Sequence, residues 1–308
     1  MYSLANKNVL VTGATGLVGM NILPVLLKEQ ANVFSCGGHK EYDLTNHDVI
    51  KDLFAKFKPD VVIHLAAQTS GAAVMEKTPL AHVTPNVVMN TCLLEEAYKS
   101  GVEKFVWLAS TTGYPEFDGF ITEERMFEGD PYHKYFAVGW MKRYTEKLCE
   151  LYDSFNKMSC IVLRPTNIYG PHDKFDPERS HVLPALIRKV VEKQNPVEVW
   201  GDGKDIRDIV YVSDMVDAII LAIQKIDSYT PMNIGLGETL SVNEILDIIM
   251  RCENHNVPIS HVNNKPSMIP KREVSIQKAK DLLGFEPKVF PQEGIQKTIE
   301  WYKNEYQA

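Results

Sequence analysis

The chain has 308 residues, a net charge of −7, and side chains that are 44% hydrophobic and 24% charged. That composition can bury a sizeable core in one or two domains and excludes an intrinsically disordered chain. It holds no apolar run of the roughly 18 residues a membrane span needs, no basic block suited to nucleic acid, and five cysteines without a C-x-x-C pair. The thiols are therefore expected to be reduced, with no disulfide framework and no metal site. Met1–Lys7 lacks a basic segment leading into an apolar stretch, so no signal peptide is expected and the expected location is the cytoplasm.

Asn8–Thr12 is a nearly continuous apolar run, as expected of a parallel strand covered on both faces. Gly13-Ala14-Thr15-Gly16-Leu17-Val18-Gly19 follows and opens a helix pattern. Glycines are needed there because backbone must approach a pyrophosphate closely and aim helix N-terminal amides at it. Pro24 lies inside that helix pattern and is expected to kink it or end it early. A second strand covers Ala31–Cys36, and Gly37-Gly38-His39-Lys40 follows. A carboxylate at this strand end binds a ribose 2′-hydroxyl, whereas a cation accommodates a 2′-phosphate. His39 and Lys40 thus tilt the expected cofactor, NAD(P), toward NADP, although Glu41 and Asp43 stand close by.

Asp48–Phe57 has helical periodicity, and Asp60–Leu65 is the third strand. At its end Leu65, Ala66 and Ala67 are small enough, or close enough to small residues, to let a ribose lie against the backbone. Asn86–Ser100 is a helix, and Lys104–Ala109 and Ser159–Leu163 complete five strands. Alternation of this kind predicts an α/β fold, a Rossmann-type doubly wound parallel sheet. After Thr166 the pattern becomes mixed. Ser213–Lys225 and Ser241–Cys252 read as helices, the latter opened by a capping box of Ser241 and Glu244. Gly284 is expected to cap Ser275–Leu283 at its C-terminus. The expected division is a dinucleotide-binding domain over 1–165 and a smaller α/β substrate lobe over 166–308, interleaved, with the cleft between them as the ligand site.

Further along the chain, Asp43-Leu44, His64-Leu-Ala-Ala67, Asn86 with Leu93-Leu94-Glu95, Phe105-Val-Trp-Leu-Ala-Ser110 and Arg164-Pro165-Thr-Asn167-Ile168-Tyr169-Gly170-Pro171 recur in one pattern. Together with the glycine loop they resemble the extended short-chain dehydrogenase/reductases, the NAD-dependent epimerase/dehydratase family, over nearly the whole chain. The resemblance implies cofactor contacts at Asp43, Leu44, Asn86, Pro165, Asn167 and Ile168. Within that family the GDP-fucose synthase branch is similar through Pro165–Arg188 and Val199–Asp214. It implies a substrate wall of Ser110, Thr111, Thr112, Asn167, His181, Val182, Arg188, Trp200, Arg207 and Arg272, with His181 as a catalytic histidine. Two arginines are apt for this, being forked donors suited to a diphosphate. His181, between Ser180 and an apolar helix start, would on its own read as a structural histidine.

Three departures stand out. That branch carries a cysteine two residues after its catalytic serine; from Ser110 the count reaches Thr112, a far poorer base, which argues against C3/C5 epimerisation. Thr111-Thr112 also replaces the acidic pair of the family's dehydratases. The family's Tyr-x-x-x-Lys is broken: Lys142 aligns with its lysine, leaving Val138 in place of the tyrosine. Tyr135 lies two turns before Lys142, and this pair is the expected cofactor-side acid and its partner.

The expected activity is an NAD(P)-dependent oxidoreductase of GDP-linked sugars working at sugar C4, with Ser110, Tyr135, Lys142 and His181 as catalytic residues. A nucleotide-sugar 4-epimerase is the alternative enzyme, and a catalytically silent NAD(P)-binding sensor or scaffold the alternative of another class. The family habit of pairing two helices implies a homodimer.

Overall fold

Valine and leucine alternate sides along Asn8–Thr12 (β1), and both sides are buried. Val9 and Val11 enter one apolar cluster and Leu10 the other. The same alternation runs through Val61–His64 (β3), Lys104–Leu108 (β4) and Ser159–Pro165 (β5). Helices therefore cover the sheet on both faces. In this computed structural model, which describes residues 1–38, 41–69, 78–263 and 268–306, six strands form one all-parallel sheet. Their order is β2-β1-β3-β4-β5-β9, with Asn32–Cys36 (β2) at one edge and Met232–Ile234 (β9) at the other. The sixth strand thus returns from the second half of the chain.

The first helix, Leu17–Lys28 (α1), runs through Pro24, so the early end that was one of the two expected effects does not occur. Pro24 is exposed, so the carbonyl one turn back that loses its amide partner lies on the water side. His47–Phe57 (α2) and Thr84–Lys99 (α3) form as expected. The helix that carries Lys142, Phe136–Ser154 (α4), begins only after a 3₁₀ turn over His133–Tyr135.

Beyond β5, Asn167–Tyr169 (β6), Ile206–Tyr211 (β8), Thr239–Ser241 (β10) and Lys271–Arg272 (β12) make a second, small sheet around β8. Val197–Trp200 (β7) pairs with Ile259–Val262 (β11). Helices Val182–Val191 (α5), Val212–Lys225 (α6) and Val242–Cys252 (α7) pack here. The capping box at Ser241 and Glu244 forms, and Gly284 closes Gln277–Leu283 in the left-handed region at φ 63°. All five cysteines are free. Among the described residues no helix is long and apolar enough to cross a membrane.

Candidate active site

The chain leaves β1 for β2 on one side and returns to β3 on the other, so a crevice opens between β1 and β3. Gly13 sits at its mouth with φ 68°, and a Cβ there would lie 2.6 Å from the Ala66 nitrogen. A Cβ on Gly19 would lie 2.4 Å from the Gly13 oxygen. Only glycine lets the loop lie on Leu65–Ala66 and the helix lie on the loop. Gly16 precedes α1 without a side-chain cap, and the first turn, Leu17, Val18 and Gly19, carries no acid. Those amides are left to an anion, which fits a dinucleotide pyrophosphate.

Around this crevice the other expected cofactor residues divide. Thr15 is exposed at the loop tip, and Leu65, Ala66 and Ala67 leave β3 partly or fully open to solvent. Asn86 instead clamps the chain after them, accepting from the Gln68 amide at 2.9 Å and donating to its carbonyl at 3.0 Å. Asp43 turns the backbone by accepting from Thr45 N and Oγ1 at 2.9 and 2.6 Å, and Leu44 is core. His39 and Lys40 lie outside the described residues. Glu41 does not: a Cβ on Gly37 would be 2.7 Å from its Oε2. Burial first, and this carboxylate second, push the Cys36 thiol up to about 12. An acid therefore stands beside the end of β2.

The turn after β4 carries the hydroxyls. Ser110 Oγ accepts from Thr112 N at 3.1 Å and from Thr112 Oγ1 at 3.0 Å. With both acceptor positions taken, the Ser110 hydroxyl is left to donate outward, as a carbonyl oxygen requires. Thr111 beside it is buried. Gly139 presses α4 against this turn, since a Cβ on it would meet Thr112 O at 2.8 Å. Lys142 donates to Leu108 O at 3.1 Å with its ammonium 4.9 Å from the centre of the Trp107 ring. Burial alone lowers its pKa to about 8. Behind it, His64 bridges Thr12 Oγ1 at 2.7 Å and Asn90 Oδ1 at 2.9 Å, and burial holds its pKa down to about 4. This histidine is neutral and structural.

The expected Tyr135–Lys142 pair does not form. The Tyr135 hydroxyl accepts from the Ile269 amide and lies in the field of Arg207 and Arg272, while Lys142 is tied to β4. The cause is local: Tyr135 stands in the 3₁₀ turn before α4, so the seven-residue spacing does not project both side chains along one helix face. Burial raises the Tyr135 pKa and the two arginines oppose that rise.

Arg207 and Arg272 face each other as partners across parallel β8 and β12. Arg272 is 5% exposed and, among the described residues, bonds backbone alone, Pro115 O at 2.9 Å and Tyr114 O at 3.3 Å. Burial lowers its pKa to about 10. Arg207 pairs with Asp205 at 2.9 Å. Two adjacent cations, Arg207 paired with Asp205 and Arg272 only in the field of Glu116, make a site for a divalent anion.

His181 caps α5, and burial followed by the charge of Lys174 lowers its pKa, so it is neutral near pH 7. Its side chain is nonetheless accessible to solvent. Val182 is exposed next to it. Trp200 ends β7, exposed, with Nε1 donating to Glu198 Oε1 at 2.9 Å. Arg188 reaches Glu192 at 3.1 Å, and its buried Nε has no hydrogen-bond partner among the described residues. Asn167 spans β6 and β8, donating to Asp208 O at 2.8 Å, between buried Pro165 and half-buried Ile168.

One cluster escaped the sequence reading. Tyr114 donates to Asn233 Oδ1 at 2.6 Å and accepts from Arg164 at 2.7 Å, and Arg164 forms a forked ion pair with Glu146. It ties the turn after Ser110 to β5, β9 and α4. No local pattern announces it, because its members lie up to 119 residues apart.

Residues 9–235 match the model of the NAD dependent epimerase/dehydratase family. The chain belongs to that family. It is 32% identical to a GDP-L-fucose synthase of Sinorhizobium fredii over 97% of this chain and 96% of that one. A GDP-L-fucose synthetase from Naegleria fowleri, solved bound to NADP, superposes with a TM-score of 0.87 at 29% identity, covering 100% of this chain and 97% of the other. A GDP-mannoheptose C4 reductase from Campylobacter jejuni, also with NADP bound, gives a TM-score of 0.87 at 25% identity over 98% and 99% of the two chains. The matched span includes the glycine loop and Lys142, and Val138, partly exposed, stands one turn before that lysine.

Proposed function

We propose that the chain is an NAD(P)-dependent oxidoreductase of a GDP-linked sugar, acting at sugar C4. The observation that carries it is the facing pair Arg207 and Arg272 beside Tyr135, in a chain that also has the glycine crevice and the outward Ser110 hydroxyl. A dinucleotide sensor has no use for a second, desolvated diphosphate clamp. The names of the relatives favour guanosine as the base and C4 as the carbon.

In this reading residues 1–165, with the returning β9, hold the dinucleotide, and the remainder of 166–308 holds the sugar nucleotide. A bound NAD(P)H supplies the hydride that reduces a 4-keto group. The NADP-bound relatives support NADP, whereas Glu41 beside Gly37 opposes a 2′-phosphate and narrows the preference. Ser110 donates to the C4 oxygen, and Thr112 holds Ser110 in that orientation. Arg207 and Arg272 hold the diphosphate, with Tyr135 as a neighbouring anchor. Trp200, Val182, Arg188 and Asn167 border the sugar and base, and neutral His181 lines the far side of the ring as a hydrogen-bonding group. With Thr112 in place of a thiol, C3/C5 epimerisation is not part of the reading.

The protein acts as a cytoplasmic homodimer in this proposal. Phe136, Trp140, Tyr144, Leu151 and Phe155 stand exposed along α4 and its C-terminal end, an apolar stripe that a second copy would cover. Sedimentation at twice 34.9 kDa checks it.

The binding test compares nucleotides. GDP at a hundred times its dissociation constant should stabilise the fold by about 2.7 kcal/mol, and UDP at the same concentration by clearly less. Arg207→Ala should raise KM for the sugar nucleotide far more than it lowers kcat, because a diphosphate clamp binds ground and transition states alike. An unchanged KM removes Arg207 from the site.

A further inference from the structure

Three features of the reaction centre converge on one residue. Val138 occupies the helix position one turn before Lys142, so no phenol stands there. The phenol singled out by the sequence, Tyr135, accepts from the Ile269 amide and lies in the field of the two arginines. Lys142 meanwhile stands beside the exit of β4, two residues before Ser110, on a helix that Gly139 presses against Thr112.

We propose that Lys142 itself is the proton donor to the C4 oxygen in this enzyme. The inference rests on the C4-reductase reading above. In the step, the C4 carbonyl carbon gains hydrogen and two electrons from bound NAD(P)H, and the C=O π bond opens onto oxygen. That oxygen takes a proton from the Lys142 ammonium. The lysine is left as a neutral amine and is recharged from water. Ser110 steadies the oxygen throughout by its own donated hydrogen bond.

The surroundings suit an ammonium acid. A general acid works best with a pKa near the operating pH, and burial brings Lys142 to about 8. Among the described residues, the titratable group that senses it from another element is His64 on β3, which is neutral. On its own helix, Arg143 is bound to Gly113 O and Gly129 O, and Glu146 to Arg164. Among the described residues no carboxylate pairs with Lys142 to hold its proton. The donor form is the charged one, so reduction should be full below about pH 8 and fall with unit slope above it, while the reverse oxidation should rise.

Two measurements test this. Competitive acetylation of the wild-type chain, read by mass spectrometry against pH, should give Lys142 a midpoint near 8 with or without substrate. In kinetics, Lys142→Arg keeps the cation but cannot release its proton. Turnover should then fall about 10²–10⁴-fold and the basic limb should vanish. Cofactor affinity, followed by nicotinamide fluorescence, should change only a few-fold. An acetylation midpoint above 10 overturns the proposal whatever the turnover. So does near-normal turnover by Lys142→Arg, and a limb below pH 6.5 instead would assign the proton to His181. Absence of turnover by the wild type sinks the reductase reading and this step together, which sets it apart from failure of the lysine alone.

Discussion

Replacing Glu146 by alanine is expected to destabilise the fold by about 3–5 kcal/mol, the cost of leaving a buried partner charge uncompensated. Arg164 and Glu146 are each 1% exposed, and Arg164 donates to both oxygens of the carboxylate. Its remaining nitrogen serves Tyr114 and the Glu123 carbonyl at 2.7 and 2.8 Å. Tyr229 donates to the same carboxylate at 3.0 Å, so alanine strands two groups at once. Urea unfolding should show the loss as a lower midpoint at unchanged slope. Because Tyr114 also presents its carbonyl to Arg272, the variant should bind sugar nucleotide more weakly even when folded. Replacing both charges with apolar residues, Glu146→Leu with Arg164→Met, should recover much of the stability, since neither charge then remains unpaired. A single alanine variant within 1 kcal/mol of the wild type would show that water reaches Arg164.

Gly13→Ala should be nearly as costly, and its damage should appear first in cofactor binding. The residue sits at φ 68°, and the added carbon would lie 2.6 Å from Ala66 N and 2.7 Å from Leu65 C. Left-handed backbone costs an L-residue about 1–2 kcal/mol. Overpacking adds about 1–3 kcal/mol where neither neighbour can yield. Both neighbours are main chain at the end of β3, so the loop must lift and its amides leave the pyrophosphate position. Dinucleotide affinity, titrated by fluorescence, should fall at least about tenfold, the equivalent of 1.4 kcal/mol. Unaltered affinity would mean that the loop does not hold the phosphates.

Local signals carried much of the architecture. The apolar runs became β1 to β5 because a strand buried on both faces needs apolar side chains at both parities. The capping box at Ser241 and the left-handed Gly284 are properties of four or five consecutive residues. What failed was non-local or depended on phase. Pro24 is tolerated because of the side of α1 it occupies, which tertiary packing decides. The distance between Tyr135 and Lys142 looked helical, but the 3₁₀ turn resets the phase before α4. Arg207 and Arg272 were named as cations, yet their pairing across β8 and β12 joins residues 65 apart in sequence, which no periodicity encodes. Arg164, one residue past the expected strand Ser159–Leu163, and Glu146 gave no sign of their partnership.

Reduction of a GDP-4-keto-6-deoxy sugar with nicotinamide-deuterated NADPH tests the central claim most directly. Product analysis by mass spectrometry and NMR should find one deuterium on sugar C4, consumed NADPH in equal amount, and no exchange of solvent hydrogen at C3 or C5. A chain that binds NADPH and GDP yet leaves the sugar unlabelled at C4 would contradict the account.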